Sequence, residues 1–297
     1  MDTITLGDVE LTRVFEWQRA ALPRAAVFPD HDPELWRAHG EWLTPDFWDP
    51  AEDTMFTSMQ TWLLRSEGAT ILVDTGIGNG KDRPGMPLFH QLDTGYLDNL
   101  AEAGVRPADV DVVVITHVHG DHVGWNTYWS GDEWVPTFPN ARYVIPRVDF
   151  DYWNPDNGHQ TRSGPRMANV FEDSVAPVHR SGQTVLWEDH HDVDANLSLS
   201  PAPGHTPGAA VLTLRSGSDR AVFVGDLLHT PLQIVEPDVA PCFDEDEALA
   251  TASRRRVLDA VVEQNALMLP AHFPAAGAVE VRRDGDRYAV KAWAEYR

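Results

Sequence analysis

Apolar and polar residues alternate through positions 3–15 around Gly7-Asp8, which predicts a β-hairpin. The alternation stops over 16–56. That stretch holds Trp17, Phe28, Trp36, Trp42, Phe47, Trp48 and Phe56 among five prolines, and reads as an irregular aromatic extension with a helical turn or two near 32–39. Two strands are expected between 57 and 74, S-M-Q-T-W-L-L-R and A-T-I-L-V-D-T, joined at Glu67-Gly68. The glycine-rich loop D-T-G-I-G-N-G-K-D-R-P-G follows, then a helix over 93–104 that stops at Gly104. Val112–Ile115 is a β-branched run of the kind that forms a buried strand. Ala141–Ile145 and Thr184–Trp187 read as strands, and 147–153 and 165–172 as helices. Asn196–Ser200, Ala209–Leu214 and Ala221–Val224 give three consecutive strands. Asp244 with Glu247 three residues later resembles a capping box for a helix ending near Gln264. Ala266–Leu269 returns to strand, and Asp284-Gly285 marks a closing hairpin. No fixed-period repeat or linker interrupts the pattern, so an α/β layered fold in one domain over 1–297 is expected.

Composition narrows the function classes. At 297 residues and 42% apolar, the chain can bury a core. A net charge of −23 opposes nucleic acid and anionic membrane surfaces as partners, since both need a basic face. One cysteine, Cys242, excludes an internal disulfide and a cysteine-rich zinc module, and reads as a buried small residue. No apolar run approaches the length of a membrane span, and the acidic start M-D-T-I-T-L-G-D is unlike a signal peptide. A cytoplasmic protein is expected.

The candidate chemistry lies in the histidines. Thr116-His117-Val118-His119-Gly120-Asp121-His122 follows the buried strand directly, with three imidazoles and a carboxylate in six residues. Gly120 permits the tight approach that crowded ligands require. Two further histidines and an aspartate sit at strand edges: His205 in Pro-Gly-His-Thr-Pro-Gly, Asp226 after Ala221–Gly225, and His272 after Ala266–Leu269. Five histidines and two aspartates are enough for two metal ions with an open position each. Nitrogen and oxygen donors without sulfur suit Zn²⁺ best, with Co²⁺, Mn²⁺ or Fe²⁺ as replacements.

On those residues, with Leu72-Val73-Asp74-Thr75-Gly76 upstream, the chain resembles the metallo-β-lactamase-fold hydrolases over roughly 57–275. The resemblance implies an αββα sandwich with the site at one edge of two sheets. It implies that His117, His119 and His205 hold one metal, that Asp121, His122 and His272 hold the other, and that Asp226 bridges them. Asp74 would orient a ligand or the loop. A water between two cations loses its proton near neutral pH and becomes the nucleophile, and Asp121 is placed to return a proton to the leaving group.

Substrate must be argued from the pocket. His229, three residues after Asp226, makes the chain look similar to the branch holding methyl-parathion hydrolase and its lactonase relatives. Pro139–Tyr143 and Phe243-Asp244 point the same way. The expected activity is hydrolysis of a lactone or other hydrophobic ester, such as an N-acyl homoserine lactone or an organophosphate triester. Trp125, Phe150, Trp153 and Phe273, with His229, are the expected pocket residues. A glyoxalase II-like thioesterase is the alternative, with Arg282, Arg283, Arg287, Lys291 and Arg297 as a basic C-terminal region, and a non-hydrolytic metal-binding or redox module is the third reading. The 16–56 segment could cap the site as a lid or reach a second copy in a homodimer.

Overall fold

A computed structural model describes residues 2–297. Two sheets stack face to face with helices on their outer surfaces, an αββα sandwich. The first sheet runs in the order Thr3–Leu6, Val9–Pro23, Thr54–Ser66, Ala69–Val73, Val112–Val114, Arg142–Pro146, Thr184–Trp187, with Trp48–Asp49 paired onto Thr54–Ser66. The second runs in chain order from His191–Asp192 through Leu197–Pro201, Ala210–Ser216, Asp219–Gly225, Leu267–Pro270 and Val279–Asp284 to Arg287–Trp293.

Period-two alternation decides which side chains meet. Trp62, Leu64, Ile71, Val73, Val112 and Val114 point inward and pack between the sheets on Leu199, Leu212, Leu214 and Phe223. Their neighbours Leu63, Leu72, Val113 and Tyr143 point outward, against Tyr96 and Leu100 of the helix Tyr96–Glu102 and Phe150 and Trp153 of Arg147–Trp153. On the far side, Val222, Val224 and Met268 receive Val257, Leu258 and Val261 of the helix Glu247–Gln264. No helix among the described residues is long and apolar enough to cross a membrane.

Several expectations need correction. The aromatic extension is less irregular than its composition suggests. Val9–Pro23 is one strand that pairs with Thr54–Ser66 along its length, with register shifts at Phe15/Trp17 and Trp17/Ala20. Those shifts disrupt strict alternation, which hides the strand from a period-two reading. The helical turns near 32–39 are Pro33–Ala38, capped by Asp32, and then Gly40–Leu43. The helix expected over 165–172 forms later, as a wide-turned segment Phe171–Val175 running into Ala176–Arg180. The long helix is capped by Asp246, whose side chain accepts from Leu249 N, and not by Asp244. The small hairpin Thr127–Trp129 with Trp134–Pro136 carried no sequence signal that we recognised.

The extension packs as core. Val27, Phe28, Trp36, Leu43, Phe47 and Trp48 are buried around Leu232 and Val239. Trp36 is fully buried and lies against Phe28. Trp36→Ala should therefore destabilise the whole chain by about 3–5 kcal/mol in chemical denaturation. A change below about 1 kcal/mol would show the segment to be a detachable arm.

Candidate metal centre

Strand ends deliver the site. Asp74 follows Ala69–Val73, and Thr116–His122 follow its parallel neighbour Val112–Val114. Asp226 follows Asp219–Gly225, and His272 follows its parallel neighbour Leu267–Pro270. Parallel neighbours finish on the same side of a sheet, so their following residues converge. His205 comes from the turn between Leu197–Pro201 and Ala210–Ser216. Gly204 in that turn has φ +132°, and a Cβ there would fall 2.0 Å from Ala250 N, so only glycine lets the turn lie on the long helix.

The seven expected ligands meet in two groups that could each hold a metal ion: His117, His119, His205 and Asp226, and Asp121, His122 and His272. In the first, His119 Nδ1 lies 3.2 Å from His117 Nε2 and 3.0 Å from His205 Nε2, and Asp226 Oδ2 is 3.3 Å from His205 Nε2. In the second, His122 Nε2 and His272 Nε2 are 3.3 Å apart, and Asp121 Oδ2 is 3.6 Å from His272 Nε2. The other oxygen of Asp226, Oδ1, stands 3.2 Å from His122 Nε2 and 3.1 Å from His272 Nε2. One carboxylate thus presents an oxygen to each group.

The outer nitrogen of each ring tests whether this set fits a cation. His122 Nδ1 faces Asp74 Oδ2 at 2.8 Å, His205 Nδ1 faces Asp244 Oδ1 at 2.9 Å, and His272 Nδ1 faces the Ser58 carbonyl at 3.0 Å. All three partners are acceptors, so each Nδ1 carries a hydrogen, and a cation that displaces any proton on Nε2 meets an inward lone pair on each ring. His117 Nδ1 lies 3.1 Å from Thr116 Oγ1, whose hydroxyl donates to Asp74 Oδ2. Lone pairs about 3.3 Å apart repel unless positive charge lies between them. Burial opposes charge on His122, His205 and His272, yet the carboxylates outweigh it. His122 is pushed well above the usual imidazole range, His205 to about 9, and His272 upward. Burial instead holds His117 and His119 well below that range. Burial also opposes ionisation of Asp226, but His122, His272 and His229 hold it well below the usual carboxylate range. The site calls for positive charge and offers lone pairs to bind it, which is what divalent cations satisfy.

Buried carboxylates brace this frame. Asp74 adopts φ +57°, a left-handed conformation uncommon for a non-glycine residue, and also accepts from Thr116 N at 2.8 Å. Asp149 accepts from Val118 N, Thr206 Oγ1 and Gly208 N, tying the first histidine loop to the His205 turn. Burial raises its carboxyl to about 6. Glu16, from the extension, accepts from Gly78 N, Ile77 N and Trp125 Nε1. Arg254 is fully buried with Nη2 3.6 Å from Asp244 Oδ2. The sequence reading assigned no site role to Asp149, Glu16, Asp244 or Arg254. Asp244 was hidden because its spacing to Glu247 imitates a helix cap.

A cavity of about 200 Å³ opens above the two groups, with His119, Asp121, His205, Asp226, His229 and His272 at its floor. Its apolar wall is built from Leu22, Val27, Met55, Met59, Met86, Leu88, Phe89, Met167 and Phe243. The expected pocket aromatics are elsewhere. Trp125 stacks on Tyr96 at 5.3 Å, and Phe150 packs on Phe171. Phe273 is fully buried beside Phe47, and Trp153 supports His119 from behind at 5.5 Å between ring centres. Proximity along the chain misled here, because the side chains next to the ligands point into the layers below. His229 does line the cavity, with Nε2 3.2 Å from Asp226 Oδ2, and burial lowers its pKa. Cys242 is half-buried, with Sγ 3.3 Å from the Ala26 carbonyl.

The segment just after the glycine-rich loop supplies Met86, Leu88 and Phe89, and the loop itself is anchored from beneath. Arg83 pairs with both oxygens of Asp173, at 2.6 and 2.9 Å. Lys81 Nζ donates to Thr127 Oγ1 at 2.6 Å and lies 3.6 Å from the Trp134 ring centre, and burial lowers it to about 7.

Comparison with known proteins agrees with this geometry. The family model described as "Metallo-beta-lactamase superfamily" matches residues 58–272. The N-acyl homoserine lactonase AttM of Rhizobium radiobacter is 26% identical over 190 residues, 63% of this chain and 66% of that protein. The match therefore spans just under two thirds of that relative's length. N-acyl homoserine lactonase AiiA of Bacillus thuringiensis subsp. kurstaki is 22% identical over 223 residues, 71% of this chain and 79% of that one. Among solved structures, AidC, a dizinc quorum-quenching lactonase in complex with a product, superposes with a TM-score of 0.78 at 20% identity over 99% of this chain and 98% of that one. The hydrolase AbOPH of the beta lactamase superfamily gives 0.78 at 21% identity over 97% and 96%. At that identity the two structures show a shared fold.

The outer partners carry a direct expectation. Asp244→Ala should weaken divalent-metal affinity roughly 10- to 100-fold, measured by competition with a chromophoric chelator. Asp246→Ala, which removes the helix cap, should instead cost about 1 kcal/mol of stability and leave metal affinity as it is. Equal affinity in wild type and Asp244→Ala would remove Asp244 from the site.

Proposed function

Because the chain belongs to the metallo-beta-lactamase superfamily, we propose that it is a dinuclear metal-dependent hydrolase acting on lactones or other hydrophobic esters, with Zn²⁺ as the resident metal. The observation that carries this reading is a floor of two donor groups sharing Asp226 beneath a wall of thioethers and alkyl groups. Lactonase relatives support the lactone as substrate class.

His117, His119 and His205 would hold one cation, Asp121, His122 and His272 the other, with an oxygen of Asp226 on each. Bound there, the pair supplies Lewis acidity toward an ester carbonyl and acidifies a water held at the floor. The remaining steps fall to the chain. The apolar wall takes the acyl or aryl part and excludes water from it, at roughly 25 cal/mol per Å² of apolar area removed from water. His229 lines the cavity beside Asp226, where it would donate to the oxygen on which negative charge develops. Asp121 lies at the cavity floor, its side chain 15% exposed, where it can accept a proton from the attacking water and return it to the leaving alkoxide.

The thioesterase alternative loses support. A glutathione carrier needs several polar and basic contacts, whereas the cavity wall holds a single cationic side chain, Arg166. Arg282 and Arg283 sit on the closing hairpin, engaged with Asp284 and Asp259.

Protein purified without chelator should contain close to two divalent ions per chain by elemental analysis, and Asp226→Ala should lose both metal and turnover. On zinc-loaded enzyme at neutral pH, kcat/KM for lactones or aryl esters should exceed that for a glutathione thioester; the reverse order overturns the lactonase reading. His229→Ala should lower kcat by roughly 10- to 1,000-fold if its imidazole donates to the oxyanion. An effect confined to KM would make it a binding residue only.

A further inference from the structure

The cavity wall has one polar corner. Ser163 and Arg166 lie on a single turn and both line the cavity. Ser163 is 4% exposed, and its Oγ makes no hydrogen bond of good geometry; its one nearby acceptor is the Glu245 carboxylate, already held by Tyr152, Arg162 N and Ser163 N. A buried hydroxyl left unpaired is costly and calls for a partner. The Arg166 guanidinium lies 5.1 Å from the Phe243 ring centre. Its polar partners are the Cys242 carbonyl at 3.4 Å and Cys242 Sγ at 3.7 Å, and no carboxylate among the described residues pairs with it. Thr57, the other hydroxyl in the wall, is spent on the His272 carbonyl at 3.2 Å.

This corner is built. Glu245 accepts from Ser163 N at 2.7 Å, from Arg162 N at 2.8 Å and from the Tyr152 hydroxyl at 2.7 Å, which fixes the turn. Arg162 adds a bond to the Asp244 carbonyl at 3.1 Å and an ion pair with Glu247 at 2.7 Å. The residues that hold the turn also hold the floor. Phe243 lies under Arg166 and beside His229, Asp244 orients His205, and Glu245 N bonds the His205 carbonyl at 3.1 Å. Three consecutive residues thus set the polar corner at a fixed place relative to the ligand His205.

The geometry points to Ser163 and Arg166 as a specificity-determining pair that takes a second oxygen acceptor of the substrate, a carbonyl on its acyl arm, while the scissile ester rests on the metal-binding floor. The inference rests on the lactone or ester reading and adds a condition to it. A purely alkyl lactone offers these two donors only the long contacts they already make within the protein, and a site built to hydrogen-bond a group discriminates against the analogue that lacks it.

The test compares N-hexanoyl homoserine lactone with an alkyl γ-lactone of matched length that lacks the amide. Wild type should prefer the amide-bearing substrate. Ser163→Ala and Arg166→Met should each reduce the ratio of kcat/KM between the two roughly 10- to 100-fold, mainly through KM. Arg166→Lys should restore part of it, since a point charge replaces the fork. An unchanged ratio in Ser163→Ala and Arg166→Met overturns the proposal. If wild type hydrolyses neither lactone, the lactone reading falls separately. The pair is then judged by calorimetric binding of the two ring-opened acids. A loss confined to the amide-bearing acid supports the corner, and equal losses, no loss or no binding by either acid overturn it.

Discussion

Every imidazole in the centre has two nitrogens, and a buried ring holds a lone pair inward most firmly when its other nitrogen finds an acceptor, as in His122, His205 and His272 but not in His119, whose Nε2 is buried without a partner. Much of the architecture around the site answers that demand. The acceptors come from the first sheet through Asp74 and the Ser58 carbonyl, and from the approach to the long helix through Asp244. The strained backbone of Asp74 is the local cost of placing one carboxylate where it can reach His122, Thr116 N and Thr116 Oγ1 together.

The same demand couples layers that are distant in sequence. Asp149 opens a helix on the outer face of the first sheet, yet its carboxylate is shared between the two loops that carry His117, His119 and His205. Glu16 acts likewise from the extension, fixing the start of the loop that later forms the cavity rim. The floor is therefore rigid for reasons that lie in its supports.

What could be read in the sequence follows from range. The histidine-rich motif after Val112–Val114 was legible because all its donors lie within six residues, and the apolar run before it marks a strand end. His205, Asp226 and His272 were legible because each follows a recognisable strand or sits in a glycine-flanked turn. The acceptors were not legible, because an isolated Asp149 or Glu16 in sequence cannot be told from a surface acid. Asp244 was misread, since local spacing offered a helix cap and only the packed structure shows that Asp246 takes that role. The pocket failed for a related reason. Trp125 and Phe273 are near the ligands in the chain, but the cavity is closed by Met55, Met86 and Met167, which are far from them.

Four of the chain's six methionines line that cavity, on three separate segments. An unbranched thioether has several rotamers of similar energy and fits different contours with little loss. The wall can accordingly follow the outline of its occupant, whereas the braced imidazoles beneath it cannot. Positional stringency and shape tolerance are thereby assigned to different parts of one site, so one fixed floor can lie beneath guests of differing length and girth.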